Sequence, residues 1–184
     1  MLSQTIRSFS IILLITLCTC GPTQLPAAPP NAAWFPKATG LPKPAGKTIL
    51  AKSVEELFQA ANDVQPGGTI IVADGHYMMP RYFAITTDNV TWRGQSGDRH
   101  KVILDGAASR HGELIGITGA TGVTIADLIV QNVKWNGIKI NSDQGADKVT
   151  IHKCVIHNVW QRGVKAPAMP KEKGDSGPRD CRVQ

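Results

Sequence analysis

Aromatic residues are scarce in this chain, 5% of 184 residues, and charged residues make up only 18%. A large helical bundle, which draws on Leu, Ala and Glu, does not fit that balance. The 18 glycines and 12 prolines suit short strands joined by turns. Long apolar runs are missing too. Phe9 to Leu17 falls short of the roughly 20 residues that a membrane span needs. No lysine–arginine run occurs. The formal net charge of +6 therefore leaves an anionic partner open, but nucleic acid is not expected. The four cysteines form no CxxC pair and no Cys/His metal spacing. What the chain does have is 42% hydrophobic residues, enough to bury a core rather than stay disordered.

The N-terminus reads as an export signal, residues 1–20. A short start carrying Arg7 precedes the apolar run Phe9 to Leu17, the pattern of a secretory h-region. Leu17-Cys18-Thr19-Cys20-Gly21 resembles a bacterial lipobox, with Cys20 as the lipidated residue, although Thr19 stands where Gly, Ala or Ser is usual. Ordinary cleavage before Trp34 is the alternative. Either way the expected location is secreted or anchored to the cell envelope, and the only membrane contact is through a lipid on Cys20.

Residues 21–47 form a Pro/Ala-rich linker. Prolines at 22, 26, 29, 30, 36, 42 and 44 forbid a continuous helix and cannot donate ladder hydrogen bonds. Residues 48–184 form the folded body. Ser53 with Glu56 three residues on is a capping-box pattern, and Val54, Leu57, Phe58 and Ala61 fall on one helical face. The spacing predicts a short amphipathic helix over 53–63. A strand follows at Thr69 to Ala73, stopped by the turn pair Asp74-Gly75. Short β-rich runs then alternate with Gly, Asn and Asp: Phe83 to Ile85, Val90 to Trp92, Lys101 to Leu104, Leu114 to Thr118.

An internal repeat carries the strongest signal. Residues 119–139 align without gaps on 145–165, an offset of 26, with nine of 21 positions identical. They include Gly119/Gly145, Val123/Val149, Ile125/Ile151, Asn132/Asn158, Gly137/Gly163 and Lys139/Lys165. Asn89-Val90-Thr91-Trp92 reads as an earlier copy displaced by an insertion. A period in the twenties implies a solenoid with one turn per repeat and about three strands in each. Alternation along a strand points Val123, Ile125, Leu128, Val130 and Ile138 inward, with Val149, Ile151, Cys154, Ile156 and Val164 above them. Thr124, Lys139, Thr150 and Lys165 point outward. Asn132 and Asn158 occupy a bend, where stacked carboxamides form an asparagine ladder.

With these features, Pro66 to Lys165 resembles right-handed parallel β-helix proteins of the pectate-lyase-like superfamily. Gly67-Gly68-Thr69-Ile70-Ile71-Val72-Ala73-Asp74-Gly75-His76-Tyr77 resembles the first turn of such chains, including alginate and chondroitin lyases of this fold. Val102-Ile103-Leu104-Asp105-Gly106 resembles their second turn, and the V-T-I…N-V…G-I repeats their later ones. The implied fold class is all-β: a right-handed parallel β-helix solenoid with a short N-terminal capping α-helix, which covers the open end of the column. The resemblance implies a polysaccharide lyase or glycoside hydrolase-like protein. A lyase of this kind uses a base that abstracts the proton alpha to a uronate carboxylate, and Ca²⁺ or Arg that stabilises the charge formed.

Four or five turns fit in the chain. After a polar loop at 166–179, Asp180 to Gln184 reads as the start of another turn, with Cys181 and Val183 inward. No C-terminal cap follows, so the chain reads as the N-terminal part of a longer or truncated protein, the alternative being a small domain closed by self-association. Lys139 and Lys165, one rung apart on one face, with Arg162 nearby, are the candidate substrate-binding residues for an acidic polysaccharide; a plain solvated surface is the competing reading. His152 and His157 are expected on the outside. His76, His100 and His111 lie in loops or turn edges without metal spacing, and Asp74 and Asp105 serve as turn formers. Asp127, Asp143 and Asp147 could supply a calcium site, yet they lack the clustered acidic pattern that a hard cation wants, so no metal ligand is assigned and calcium stays open as a cofactor. No catalytic residue is assigned either. Three functions remain open: an exported carbohydrate-active enzyme or its N-terminal part, a non-catalytic carbohydrate-binding surface protein, and a scaffold without activity of its own.

Overall fold

The computed structural model of the protein describes residues 38–44, 46–167 and 181–183. The export signal, Cys20, Trp34-Phe35 and most of the polar loop at 166–179 lie outside the described residues. The body is a parallel β-helix, as the repeat predicted. A short strand, β1 (Thr48–Ala51), leads into α1 (Val54–Asp63). Four turns of three strands follow. They are β2 (Thr69–Val72), β3 (Gly75–Met78) and β4 (Phe83–Ile85); β5 (Thr91–Gly94), β6 (Val102–Asp105) and β7 (Glu113–Thr118); β8 (Thr124–Ala126), β9 (Ile129–Val133) and β10 (Asn136–Asn141); β11 (Thr150–His152), β12 (Val155–Val159) and β13 (Arg162–Lys165). Finally β14 (Arg182–Val183) pairs with β11.

Every pairing is parallel and joins one turn to the next. The first sheet runs β1-β2-β5-β8-β11-β14, the second β3-β6-β9-β12 and the third β4-β7-β10-β13. Register stacks like on like. Ile70, Trp92, Ile125 and Ile151 form one inward column, and Phe83, Ile115, Ile138 and Val164 another. Almost all of these are buried, because the parallel strands close on a shared interior. Cys154, Ile156 and Val164, in the last complete turn, are only partly buried but pack against the same core. Val183 stands in register on Ile151 yet is 72% exposed, contrary to its expected inward burial; among the described residues no layer stacks upon it.

Helix α1 begins as the capping box predicts. Ser53 Oγ accepts the Glu56 amide at 3.1 Å, while the Glu56 carboxylate reaches one residue further back, to the Lys52 amide at 2.6 Å. Two hydrogen bonds lower the Glu55 pKa, from its own backbone and from Ser53. Leu57 and Ala60 are buried, and Phe58 meets Phe83 edge-on at 5.3 Å. Phe83 in turn meets Trp92 at 4.7 Å, so the helix plugs the start of the column through a chain of rings.

Two bends depend on backbone chirality. Asn132 and Asn158 both adopt left-handed backbone angles (φ 56° and 49°), and Asn158 Nδ2 donates to Asn132 Oδ1 at 2.5 Å. The predicted ladder therefore exists. Asp127 and Lys153 are left-handed as well and turn the chain straight after β8 and β11. That corner explains why His152 is buried rather than outward, at 2% exposure. Period-two alternation ends at the corner, so Ile151 and His152 are buried in succession, as are Ile125 and Ala126 beneath them. His157, on β12 beyond that corner, is exposed as expected.

The strand expected at Thr69 to Ala73 is β2, and it ends before Asp74-Gly75 as predicted. Gly75 opens β3, and the pair marks the corner between the first and second sheets.

Candidate functional site

The outer face of the third sheet gathers the polar chemistry. Register places Ala84, Gly116, Lys139 and Lys165 in one column, in that order along the axis. Lys139 and Lys165 thus lie on adjacent rungs, about 4.8 Å apart at the backbone. Beside that column stand Glu113, Asn136 and Arg162, again in register. The structure sets the two lysines that the repeat singled out on adjacent rungs, with Arg162 on the same strand as Lys165.

Two residues that the sequence reading passed over complete the face. Glu113 Oε1 lies 3.7 Å from Lys139 Nζ and accepts from Asn136 Nδ2 at 3.4 Å. Tyr82 lays its phenol on Gly116; a Cβ there would fall 1.5 Å from the hydroxyl, so only glycine leaves room for it. Asn141 Nδ2 donates to Thr118 Oγ1 at 2.8 Å and approaches Tyr82 Oη at 3.5 Å, while the His111 ring lies 6.0 Å from the Tyr82 ring. Gly116 was the available clue: an isolated glycine inside an apolar strand marks a close approach. Nothing in the sequence pointed from it to Tyr82.

The carboxamide oxygens of Asn136 and Asn141 are buried and accept no hydrogen bond among the described residues. Such acceptors cost about 1–3 kcal/mol each when left unmade, and they concentrate here beside the cations. The cations themselves outnumber their partners. Lys139 has Glu113, whereas no carboxylate among the described residues forms an ion pair with Lys165 or Arg162.

The second sheet carries a different polar cluster, centred on Asp105. This residue is not a simple turn former. Its carboxylate is buried at 3% exposure and accepts from Gln131 Nε2 at 2.7 Å, Asn132 Nδ2 at 2.8 Å and the Ala107 amide at 2.9 Å. His76 Nε2, on β3 rather than in a loop, lies 2.9 Å away. Burial pushes the carboxyl pKa up, but the hydrogen bonds from Gln131, Ala107, Asn132 and His76 outweigh it and hold it at about 2. With its acceptors filled by protein donors, the cluster extends the asparagine ladder by one layer. It is a structural staple and leaves little capacity for a ligand.

Cys154 is no nucleophile either. Burial drives its thiol up to about 12 and the group points to the carbonyls of His152 and Ile125. Asp127 pairs with Arg93 at 3.6 Å. Among the described residues no group of three His, Cys, Asp or Glu is arranged to hold a metal ion. Also among them, no helix is long and apolar enough to cross a membrane.

No family model matches the chain, and no curated protein matches it in sequence. Among solved structures it is similar to a PL6 family alginate lyase, AlyGC, with 12% identity and a TM-score of 0.50 over 83% of this chain and 26% of that one. A mutant of that enzyme aligns at 14% identity and a TM-score of 0.49 over 72% of this chain and 20% of that one. At this identity the likeness to AlyGC establishes the fold, a parallel β-helix. The chain spans about a quarter of that lyase's length.

Proposed function

We propose that the protein is an exported, carbohydrate-active β-helix protein whose third sheet binds an acidic polysaccharide. The observation that carries this reading is the register of Lys139 on Lys165, with Arg162 beside them. Two like charges held on adjacent rungs repel unless an anion bridges them, and a polyuronate presents carboxylates at intervals of a single sugar residue. Arg162 suits a carboxylate through two parallel hydrogen bonds. The half-buried Tyr82 hydroxyl offers a donor and an acceptor to sugar hydroxyls, while the buried Asn136 and Asn141 carboxamides stay within the protein. The fold supports the same reading, because its structural neighbour is an alginate lyase.

Lyase-like chemistry is part of the proposal for the whole protein. Lys139 and Tyr82 are the groups on this face that can take or give a proton beside a bound uronate. The alternative is a non-catalytic surface protein that holds the glycan without cleaving it. Export, with cleavage before Trp34 or lipidation at Cys20, completes the proposal and rests on residues 1–20.

The test is the affinity of the full chain for an oligouronate, measured by calorimetry with a neutral oligosaccharide of equal length as reference. Lys139→Gln and Lys165→Gln are each expected to weaken oligouronate binding about tenfold, and less at high salt. Equal affinity of wild type and variants contradicts the reading. An unsaturated uronate product favours the enzyme; binding without product favours the surface protein.

A further inference from the structure

We infer that the corner between the second and third sheets is a stacking platform for the pyranose rings of the same glycan, built from Trp135 and Trp160. The inference rests on the proposed binding of an acidic polysaccharide and extends it around the edge of the solenoid.

The chain has four tryptophans, and two of them stand on this corner in adjacent layers. Trp92 is buried in the core, but Trp135 is 52% exposed and Trp160 82% exposed. Exposed apolar area of this size is unfavourable in water unless something covers it. The backbone holds both residues firmly. Trp135 N donates to Gly112 O at 2.7 Å, Trp160 N to Val133 O at 3.1 Å, and Gln161 N to Trp135 O at 2.9 Å. The Trp135 ring lies flat on Gly112, where a Cβ would fall 2.2 Å from a ring atom. A bulkier residue at 112 displaces the ring, so the sequence makes room for an indole that contributes little to the core.

The charges around the rings select the occupant. Lys134 precedes Trp135 and is exposed; Arg162 follows two residues after Trp160, with Lys165 beyond it on the same strand. A uronate ring has an apolar face of C–H groups and a carboxylate at its rim. Laid on an indole, it buries the first and offers the second to these cations. A second copy of this chain meeting the corner face to face sets like charges against each other, which disfavours that occupant.

Trp160→Ala is the cleaner variant, because the ring is the more exposed of the two. It is expected to weaken oligouronate binding about tenfold, with an unchanged melting temperature and an unchanged dependence on salt. Lys165→Gln, in contrast, flattens the salt dependence. In the wild type, a bound oligouronate should protect Trp135 and Trp160 from oxidation by N-bromosuccinimide, read by peptide mass. Full affinity in Trp160→Ala, or no protection at either ring, overturns the platform while leaving the Lys139/Lys165 reading intact if Lys165→Gln still loses affinity. Absence of oligouronate binding by the wild type overturns both. A wild-type dimer that Trp160→Ala converts to monomer, with glycan affinity unchanged, assigns the corner to self-association and overturns the platform.

Discussion

Asp105→Ala lowers the stability of the folded protein by about 3 kcal/mol at neutral pH. The buried carboxylate is the common acceptor for Gln131, Asn132, the Ala107 amide and His76, and its removal deprives this part-buried cluster of the one group that ties it together. It also cuts the ladder that continues through Asn132 to Asn158. The same carboxylate sets an acid sensitivity. Its folded pKa of about 2 lies below the ordinary aspartate value of 3.8. The stabilisation, about 2 kcal/mol, is therefore complete above roughly pH 4 and is lost as the pH falls through about 2. Urea unfolding of wild type and Asp105→Ala at pH 7 and at pH 2 checks both points. The gap between the two proteins should narrow in acid. An equal gap at both values assigns the loss to packing instead of to the charge.

Leu128→Ala costs a further large amount, about 3 kcal/mol. Leu128 is fully buried and shares the interior with Ile125 of its own turn and with Val72, Leu104 and Ile115 of the turns before it. Each turn contributes a few apolar side chains to one continuous column, and a turn cannot bury that face alone. A cavity at Leu128 therefore loosens the layers above and below it. Leu50 is the control: it lies at 41% exposure on β1, and Leu50→Ala is expected to change stability by less than about 0.5 kcal/mol. Thermal unfolding of the two variants separates them. Comparable losses contradict a single shared core.

The repeat made the later turns readable because residues 119–139 and 145–165 align without insertions. In the earlier turns the corners differ, and the loops around Arg81 and Arg99 hide the period. β1 escaped notice beside the proline-rich linker, although it forms the first rung by pairing with β2. The alternation rule placed the inward columns well along the strands and failed at corners. His152 is buried there because the left-handed Lys153 ends the alternation. Asp105 was misread for a related reason. Asp-Gly suits a turn, and nothing local shows that Gln131 and Asn132, 26 and 27 residues on, donate to its carboxylate. The cations Lys139 and Lys165 were visible through their repeat positions. Tyr82 and Glu113 joined them only through register and through the space that Gly116 leaves.

We propose the outer face of the third sheet as the seat of an acidic glycan. Backbone amide shifts recorded while a short oligouronate is titrated into the isotope-labelled full chain test it most directly. Shifts are expected at Lys139, Arg162 and Lys165 and at the Trp160 corner, with the amides of β2, β5 and β8 unmoved. Shifts confined to the first sheet, or none at saturating glycan, contradict it.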